Sequence, residues 1–489
     1  MIFSLCRGLS RARTVWPLAL ATSLAAYTAA ITPGRRAALE HISPQSLEGH
    51  VSFLASDLLE GRATPSRGLD LASEYIAAQF RRAGLEPMGD DGYFQTARFV
   101  TSRQSLEGAE FTVASGETEI RIGKSEMRVL SAGMADFAGA VPVKIDLEDA
   151  KPEDVEGKIV VVVTQRRDAI VSIARLKPAA ALLAYSNAGK PPEASARLED
   201  AERRPPFPVL RVHNHEFFKL AKAARPGPMN VKLSLRLPPS VITPVNLRNV
   251  AGLLRGSDPA VADTYVLISA HYDHIGRKTS GEGDLIYNGA NDDASGVAAV
   301  LEIASALAAS KPAPRRSILF ITYFGEEEGL YGSRYYGRHP LVPLKNTVAD
   351  LNLEQLGRTD GDSGTLAGTA TMTGYGYSDV TTAFELAGVA TGLKIYAPKH
   401  DGEAYFARSD NQSLADQGVP AHTILTAFEF PDYHKPGDEW NKLDYPHLAR
   451  VSRTVALTLM MIADDPQPPR WNESSANTGK YVKAWRALQ

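Results

Sequence analysis

Tyr265-Val-Leu-Ile-Ser269 is an apolar run of strand length, and it leads directly into Ala270-His271-Tyr272-Asp273. The same join recurs downstream. Ser317 to Phe324 is a second apolar strand, followed by Gly325-Glu326-Glu327-Glu328-Gly329. Thr347 to Leu353 is a third, ending on Glu354, and Thr423 to Leu425 a fourth, with Asp432-Tyr433-His434 in the loop beyond it. Between the first two strands, Val297 to Leu307 carries Val297, Val300, Leu301 and Ala304 on one helical face. Strands alternating with helices predict an α/β fold, a mostly parallel (mixed) sheet sandwiched by helices. In such open sheets the ligand crevice lies outside the carboxyl ends of the strands, which is where these acidic and histidine-bearing segments fall.

Upstream, His50 to Leu59 and Leu69 to Ala83 have helical periodicity; Leu69, Ala72, Tyr75, Ile76 and Phe80 fit one face. Residues 36–125 are expected to be the first part of the sheet-bearing domain and residues 239–470 the rest. Residues 126–238 are expected to form a β-rich insert, with Lys158-Ile-Val-Val-Val-Val163 as a buried strand and Pro-rich flanks at 204–208 and 237–240. No cluster of catalytic side chains is found in it. The tail after Asp464, including a terminal segment 471–489, is rich in Pro, Asn and Ser and is expected to be peripheral.

With 489 residues, 44% hydrophobic and 22% charged, the chain is an ordinary multidomain globular protein. A formal net charge of -3 and the lack of a long basic run argue against nucleic acid as a partner. The N-terminus reads as an export signal over residues 1–30: Arg7, Arg11 and Arg13, then the short apolar stretch Trp16 to Ala26, then Thr28-Ala29-Ala30. That stretch falls short of the roughly 20 residues that span a bilayer. The expectation is a periplasmic or secreted protein with no stable membrane partner unless the signal stays uncleaved. The single cysteine, Cys6, lies inside the signal, so metal or catalytic chemistry rests on His, Asp and Glu.

Each polar segment is ambiguous alone. Asp292, Asp293 and Ser295, in Gly289-Ala-Asn291-Asp292-Asp293-Ala-Ser295-Gly296, suit a helix N-cap as well as a metal. Taken together, two histidines, one carboxylate able to bridge and two terminal carboxylates make a co-catalytic site for two Zn2+. The N/O donor set also admits manganese or cobalt.

His271-Tyr-Asp273-His, Gly289 to Gly296, Gly325-Glu326-Glu327-Glu-Gly-Leu-Tyr-Gly-Ser333, Asn352-Leu-Glu354 and Asp432-Tyr-His434 occur in that order. So arranged, they resemble the co-catalytic zinc exopeptidases that include bacterial leucyl aminopeptidases, aminopeptidase Y and plasma glutamate carboxypeptidase, and more distantly the glutaminyl cyclases. Leu54-Ala-Ser-Asp-Leu-Leu-Glu-Gly-Arg62 looks like the N-terminal part of the bacterial members, and the insert resembles a protease-associated domain. The resemblance implies the zinc-exopeptidase (phosphorylase/hydrolase-like) fold. It implies that His271 and Glu354 hold one zinc, Glu327 and His434 the other, and Asp292 bridges them. Glu326 would be the general base and Asp273 would orient His271. A cis Asp292–Asp293 peptide is expected as in relatives. Many relatives carry Asp where this chain has Glu354. The activity implied is hydrolysis of peptides near a terminus, with aminopeptidase preferred over carboxypeptidase or dipeptidase. Glu328 and Asp410 could hold an amine, Arg358 and Arg408 a carboxylate. A glutaminyl cyclase or a non-catalytic receptor fits the complete ligand set less well.

Overall fold

The computed structural model describes residues 31–489 apart from 165, 167–168, 187–196, 360–365 and 399–400. The export-signal reading of residues 1–30 therefore lies outside the described residues. The chain divides into two compact units, one made of residues up to Ala97 together with Arg248–Gln489, the other Arg98–Leu247.

The first unit is built on a mixed sheet. Its strands are β1 (Tyr265–His271), β2 (Ser317–Tyr323), β3 (Thr347–Leu353), β4 (Thr369–Met372) and β5 (Ala421–Leu425). β2, β1, β3 and β5 lie side by side and parallel. Residues 250–254 add an antiparallel edge against β2, and β4 runs antiparallel to β5. The four parallel strands are buried along nearly their whole length, which is why they read as continuous apolar runs. The chain leaves β1 for β2 on one side and then crosses back past β1 to β3 on the other, and a crevice opens at the carboxyl ends there.

Four helices bear on the site: α1 (Pro44–Leu54), α2 (Arg67–Ala83), α3 (Ser295–Ala309) and α4 (Tyr445–Asp464). α2 starts at Ser66, whose Oγ accepts from the Leu69 N–H at 3.1 Å, and buries Leu69, Ala72, Ile76 and Phe80 as the periodicity predicts. α3 is buried on every side and ties the helices together through Glu302. Its carboxylate lies 3.1 Å from His50 Nε2, and His50 Nδ1 is 2.9 Å from the Tyr75 hydroxyl.

Three expectations are corrected. The first helix ends at Leu54 rather than continuing to Leu59, because Glu60, Gly61 and Arg62 all take positive φ. The second unit starts at Arg98, well before residue 126, because Glu110–Ser115 and Thr118–Arg121 pair into a sheet completed by Lys232–Leu237. The C-terminal segment is not peripheral: Trp471 and Tyr481 are buried and stack at 5.0 Å, and Trp471 Nε1 donates to the Gly418 carbonyl at 2.8 Å.

The second unit contains a six-stranded and a four-stranded sheet. The strand Ile159–Val162 falls where its apolar run predicts it, and both it and the strand Ala180–Ala184 are fully buried.

Asp350, in the middle of β3, is fully buried; one carboxylate oxygen accepts from Ser269 Oγ at 3.0 Å and the other has no partner. Burial raises its pKa from 3.8 to about 7, despite the bond from Ser269. The folded chain thus keeps a proton that the unfolded chain releases as pH rises from about 4 to about 7, so Asp350 makes stability fall across that window. Asp350→Asn should remove this loss, an effect of up to about 4 kcal/mol at pH 8 and little at pH 4. Urea denaturation of parent and variant at the two pH values measures it; an equal difference at both would exclude the buried acid as the cause.

Candidate metal centre

The carboxyl ends of β1, β2, β3 and β5 and the turn before α3 bring the sequence-predicted residues together. His271 ends β1, and its Nε2 lies 3.2 Å from Asp292 Oδ1. The other carboxylate oxygen of Asp292 faces His434 Nε2, also at 3.2 Å. His434 Nε2 is in turn 3.3 Å from Glu327 Oε1. Donor atoms of His271, Asp292 and Glu354 all lie within 4.8 Å of one another, and so do those of His274, Asp292 and Glu327. Asp292 therefore belongs to both groups, one oxygen toward each.

The backbone holds Asp292 from several sides. Asn291 N–H and Asp292 N–H both donate to the buried Asp438 carboxylate, at 3.0 and 3.1 Å. Asn291 Oδ1 accepts from Gly357 N–H at 2.7 Å. The Asp292–Asp293 peptide is cis, as expected. Asp293, rather than Ser295, caps the helix: its Oδ1 accepts from Gly296 N–H at 3.0 Å and from Gln355 N–H at 3.2 Å. Ser295 Oγ instead donates to the Asn291 carbonyl and accepts from Leu356 N–H. Gly296 is required, since a Cβ there would meet the Asp293 carboxylate at 2.5 Å.

Asp273 is buried and accepts from Glu326 N–H at 3.1 Å. Its backbone carbonyl lies 3.2 Å from His271 Nδ1 and its carboxylate 3.6 Å away, so both fix that ring. Glu354 is held by side-chain hydrogen bonds from Ser409 and Gln355. Ser409 also accepts from Asn352 Nδ2 at 2.9 Å.

Asp292, Asp293, Glu326, Glu327 and Glu354 are crowded into one largely buried volume, and their ionisation shows the strain. Burial opposes the charged form of each. It pushes Glu326 and Asp293 well above the usual carboxylate range, and Glu354 upward. For Asp292 and Glu327, hydrogen bonds from the histidines outweigh burial; Asp292 falls well below its ordinary value and Glu327 to about 2. The same pairs raise His434 to about 10 against its burial. The protonated rings thus supply positive charge among the acids. Several buried donor atoms, including Asp273 Oδ2, His274 Nε2 and Asp293 Oδ2, have no hydrogen-bond partner. Buried acids, neutralisable imidazoles and unsatisfied donors together fit a pair of divalent cations.

Three contributors escaped the sequence reading. His274 is buried, and its Nδ1 is 2.8 Å from Glu327 Oε1; only its place in the first motif signalled it. Asp438, four residues beyond His434, anchors Asp292. Arg62 is the third. Its guanidinium is fully buried and donates to the carbonyls of Tyr272, Leu54, Asn288 and Gly289, at 2.8, 2.5, 2.7 and 2.9 Å. Burial lowers its pKa to about 10, while Asp273, Asp438, Asp292 and Asp293 pull it up.

Of the groups considered for a substrate terminus, Arg358 is engaged by Asp432 at 3.3 Å and Asp410 is buried. Arg408 and Glu328 are exposed. Tyr433 stacks on His434 with ring centroids 4.0 Å apart.

Residues 249–459 match the model of peptidase family M28. That stretch includes every predicted metal ligand. A probable zinc metalloprotease of Pyrenophora teres f. teres is 29% identical over 250 residues, 47% of this chain and 51% of that protein. The chain thus spans about half the length of that relative. A probable leucine aminopeptidase 2 of Aspergillus oryzae is 23% identical over 405 residues, 74% of this chain and 75% of its own. Among solved structures, an aminopeptidase from Aneurinibacillus sp. strain AM-1 matches with a TM-score of 0.52 at 20% identity, covering 90% of this chain and 97% of that one. This likeness bears on the fold.

Arg62 gives the anchoring of these loops a direct test. Arg62→Leu leaves four buried carbonyls without their donor and should cost at least ~3 kcal/mol. Urea unfolding of the metal-free chain measures this; a loss below about 1 kcal/mol would mean that the carbonyls find other partners.

Proposed function

We propose that this chain is a zinc-dependent exopeptidase holding two zinc ions, and that it releases N-terminal residues from peptides. The observation that carries the reading is the pair of donor groups that share Asp292, with Glu326 beside them. His271 and Glu354 would hold one ion, His434 and Glu327 the other, and Asp292 would serve both. His274, at hydrogen-bond distance from Glu327, would hold that carboxylate in place rather than ligate.

When bound, the zinc pair polarises the scissile carbonyl and lowers the pKa of the attacking water. Glu326 takes the proton from that water and passes it to the leaving amine. Its backbone is fixed through Asp273, so the base and the ring of His271 share one support. The acidic surplus around the site, with Glu328 exposed next to it, suits a substrate that arrives with a free ammonium group. The basic and apolar character of residues 7–30 supports export to the periplasm or the medium. Among the described residues no helix is long and apolar enough to cross a membrane.

Glu326→Gln should keep its zinc and lose turnover by about 100-fold or more. Metal analysis of the purified variant and rates on aminoacyl-p-nitroanilides check both halves. A rate close to the parent would remove Glu326 from the role of base.

Chelation should abolish release of the free-amine residue, and two equivalents of zinc per chain should restore it. If two zincs bind but aminoacyl anilides are not cleaved, the site stands and the substrate is a dipeptide or a C-terminal residue. Binding of one zinc or none would count against the dizinc reading and point to Glu354.

A further inference from the structure

The second unit carries a cluster of positive charge that the peptidase reading does not use. Arg128 lies on the strand Met127–Ser131 and Arg211 on the strand Val209–Val212, and the two are directly opposed in an antiparallel pair. Opposed residues share a face, and like charges in that relation repel. Their strand neighbours Met127 and Val212 point the other way, into the core. Arg197 supplies a third guanidinium. Burial and the fields of Arg197 and Arg211 both lower the pKa of Arg128.

Among the described residues, Arg128, Arg197 and Arg211 have no carboxylate partner. The nearby acid, Glu199, is taken by Arg204 at 3.5 Å, by Ser131 Oγ at 3.1 Å and by Ser102. Arg197 Nε and Arg211 Nε are shielded from water yet have no acceptor. The Arg211 guanidinium is held 4.6 Å over the Tyr185 ring, and His213 lies beside that ring at 5.5 Å. An aromatic platform orients a guanidinium so that its edge stays free for a planar or tetrahedral oxyanion.

We propose that Arg128, Arg197 and Arg211 form an oxyanion-binding site on the second unit, taking a carboxylate or phosphate group of a ligand. A bound oxyanion would relieve the repulsion and satisfy the shielded Nε–H groups.

The test uses the full chain at low salt, with inorganic phosphate and N-acetyl-tetraglutamate amide as probes and N-acetyl-tetraalanine amide as the neutral control. The blocked N-termini keep the peptides from presenting a free amine. Calorimetry should show binding of at least one acidic probe, weakened 10-fold or more in Arg128→Gln/Arg211→Gln. Binding of phosphate alone would identify a compact tetrahedral ligand, and binding of tetraglutamate alone a peptide carboxylate; either supports the site. The unliganded Arg128→Gln single variant should melt at the parent's temperature or higher, because it loses only repulsion. Its melting temperature should rise less with the bound probe than the parent's does. Failure of both probes to bind, or equal binding by parent and double variant, overturns the proposal, as does a single variant that melts lower without ligand.

Discussion

One buried cation organises the centre. Arg62 is placed by three successive residues of positive φ, two of which bear side chains that disfavour it, at about 1 kcal/mol each. Gly61 between them is obligatory, because a Cβ would meet the Tyr287 and Gly276 carbonyls at 2.4 and 2.5 Å. The strained turn drives a guanidinium into the interior, where it binds four carbonyls from three separate segments. Tyr272 lies between His271 and Asp273, and Asn288 and Gly289 lead into Asn291 to Asp293. A single side chain therefore sets the spacing of the two loops from which His271 and Asp292 project.

The same guanidinium bears on the charge balance. The centre concentrates five carboxylates, and Asp438, raised to about 6 by burial, adds another against the backbone of Asp292. Such density is unfavourable unless cations accompany it. Arg62 is fixed and permanent, and touches carbonyls rather than acids, so it moderates the field without occupying a ligand position. The histidine rings answer the rest in the metal-free chain, and a metal pair would displace their protons. Metal affinity should thus depend on pH through the histidines more than through Asp292, which is ionised in either state.

Much of this was legible in the sequence because it is local. The strands β1, β2, β3 and β5 are largely apolar runs buried on both faces, and His271, Glu326, Glu327, Glu354 and His434 lie at or beyond their carboxyl ends, so position along the chain predicts position in the crevice. The turn before the helix pointed to Asp292 and Asp293 together, and only the family resemblance told one from the other. What was not legible depends on contacts distant in sequence. Arg62 and Tyr272 are 210 residues apart. Asp438 meets Asn291 across 147 residues. The early start of the second unit depends on Glu110–Ser115 pairing with a strand more than a hundred residues later. Periodicity finds elements, and no periodicity announces which distant carbonyl a buried donor will find.

Glu354 shows how a long-range constraint absorbs a local departure. Its side chain is one methylene longer than aspartate, yet its carboxylate still comes within metal-sharing distance of His271 and Asp292. The backbone is locked first: Glu354 N–H donates to the Ile424 carbonyl at 3.1 Å, and Gln355 turns sharply with a φ of 54°. Ser409 then restrains the carboxylate, and Ser409 is itself fixed by Asn352, whose Nδ2 also donates to Thr423 Oγ1 at 3.0 Å. The chain of bonds runs from the carboxylate through Ser409 to β3 and β5, the rigid middle of the sheet. A longer ligand on so rigid a support need not be a looser one, because the rotational freedom it adds is removed by Ser409 before any metal arrives.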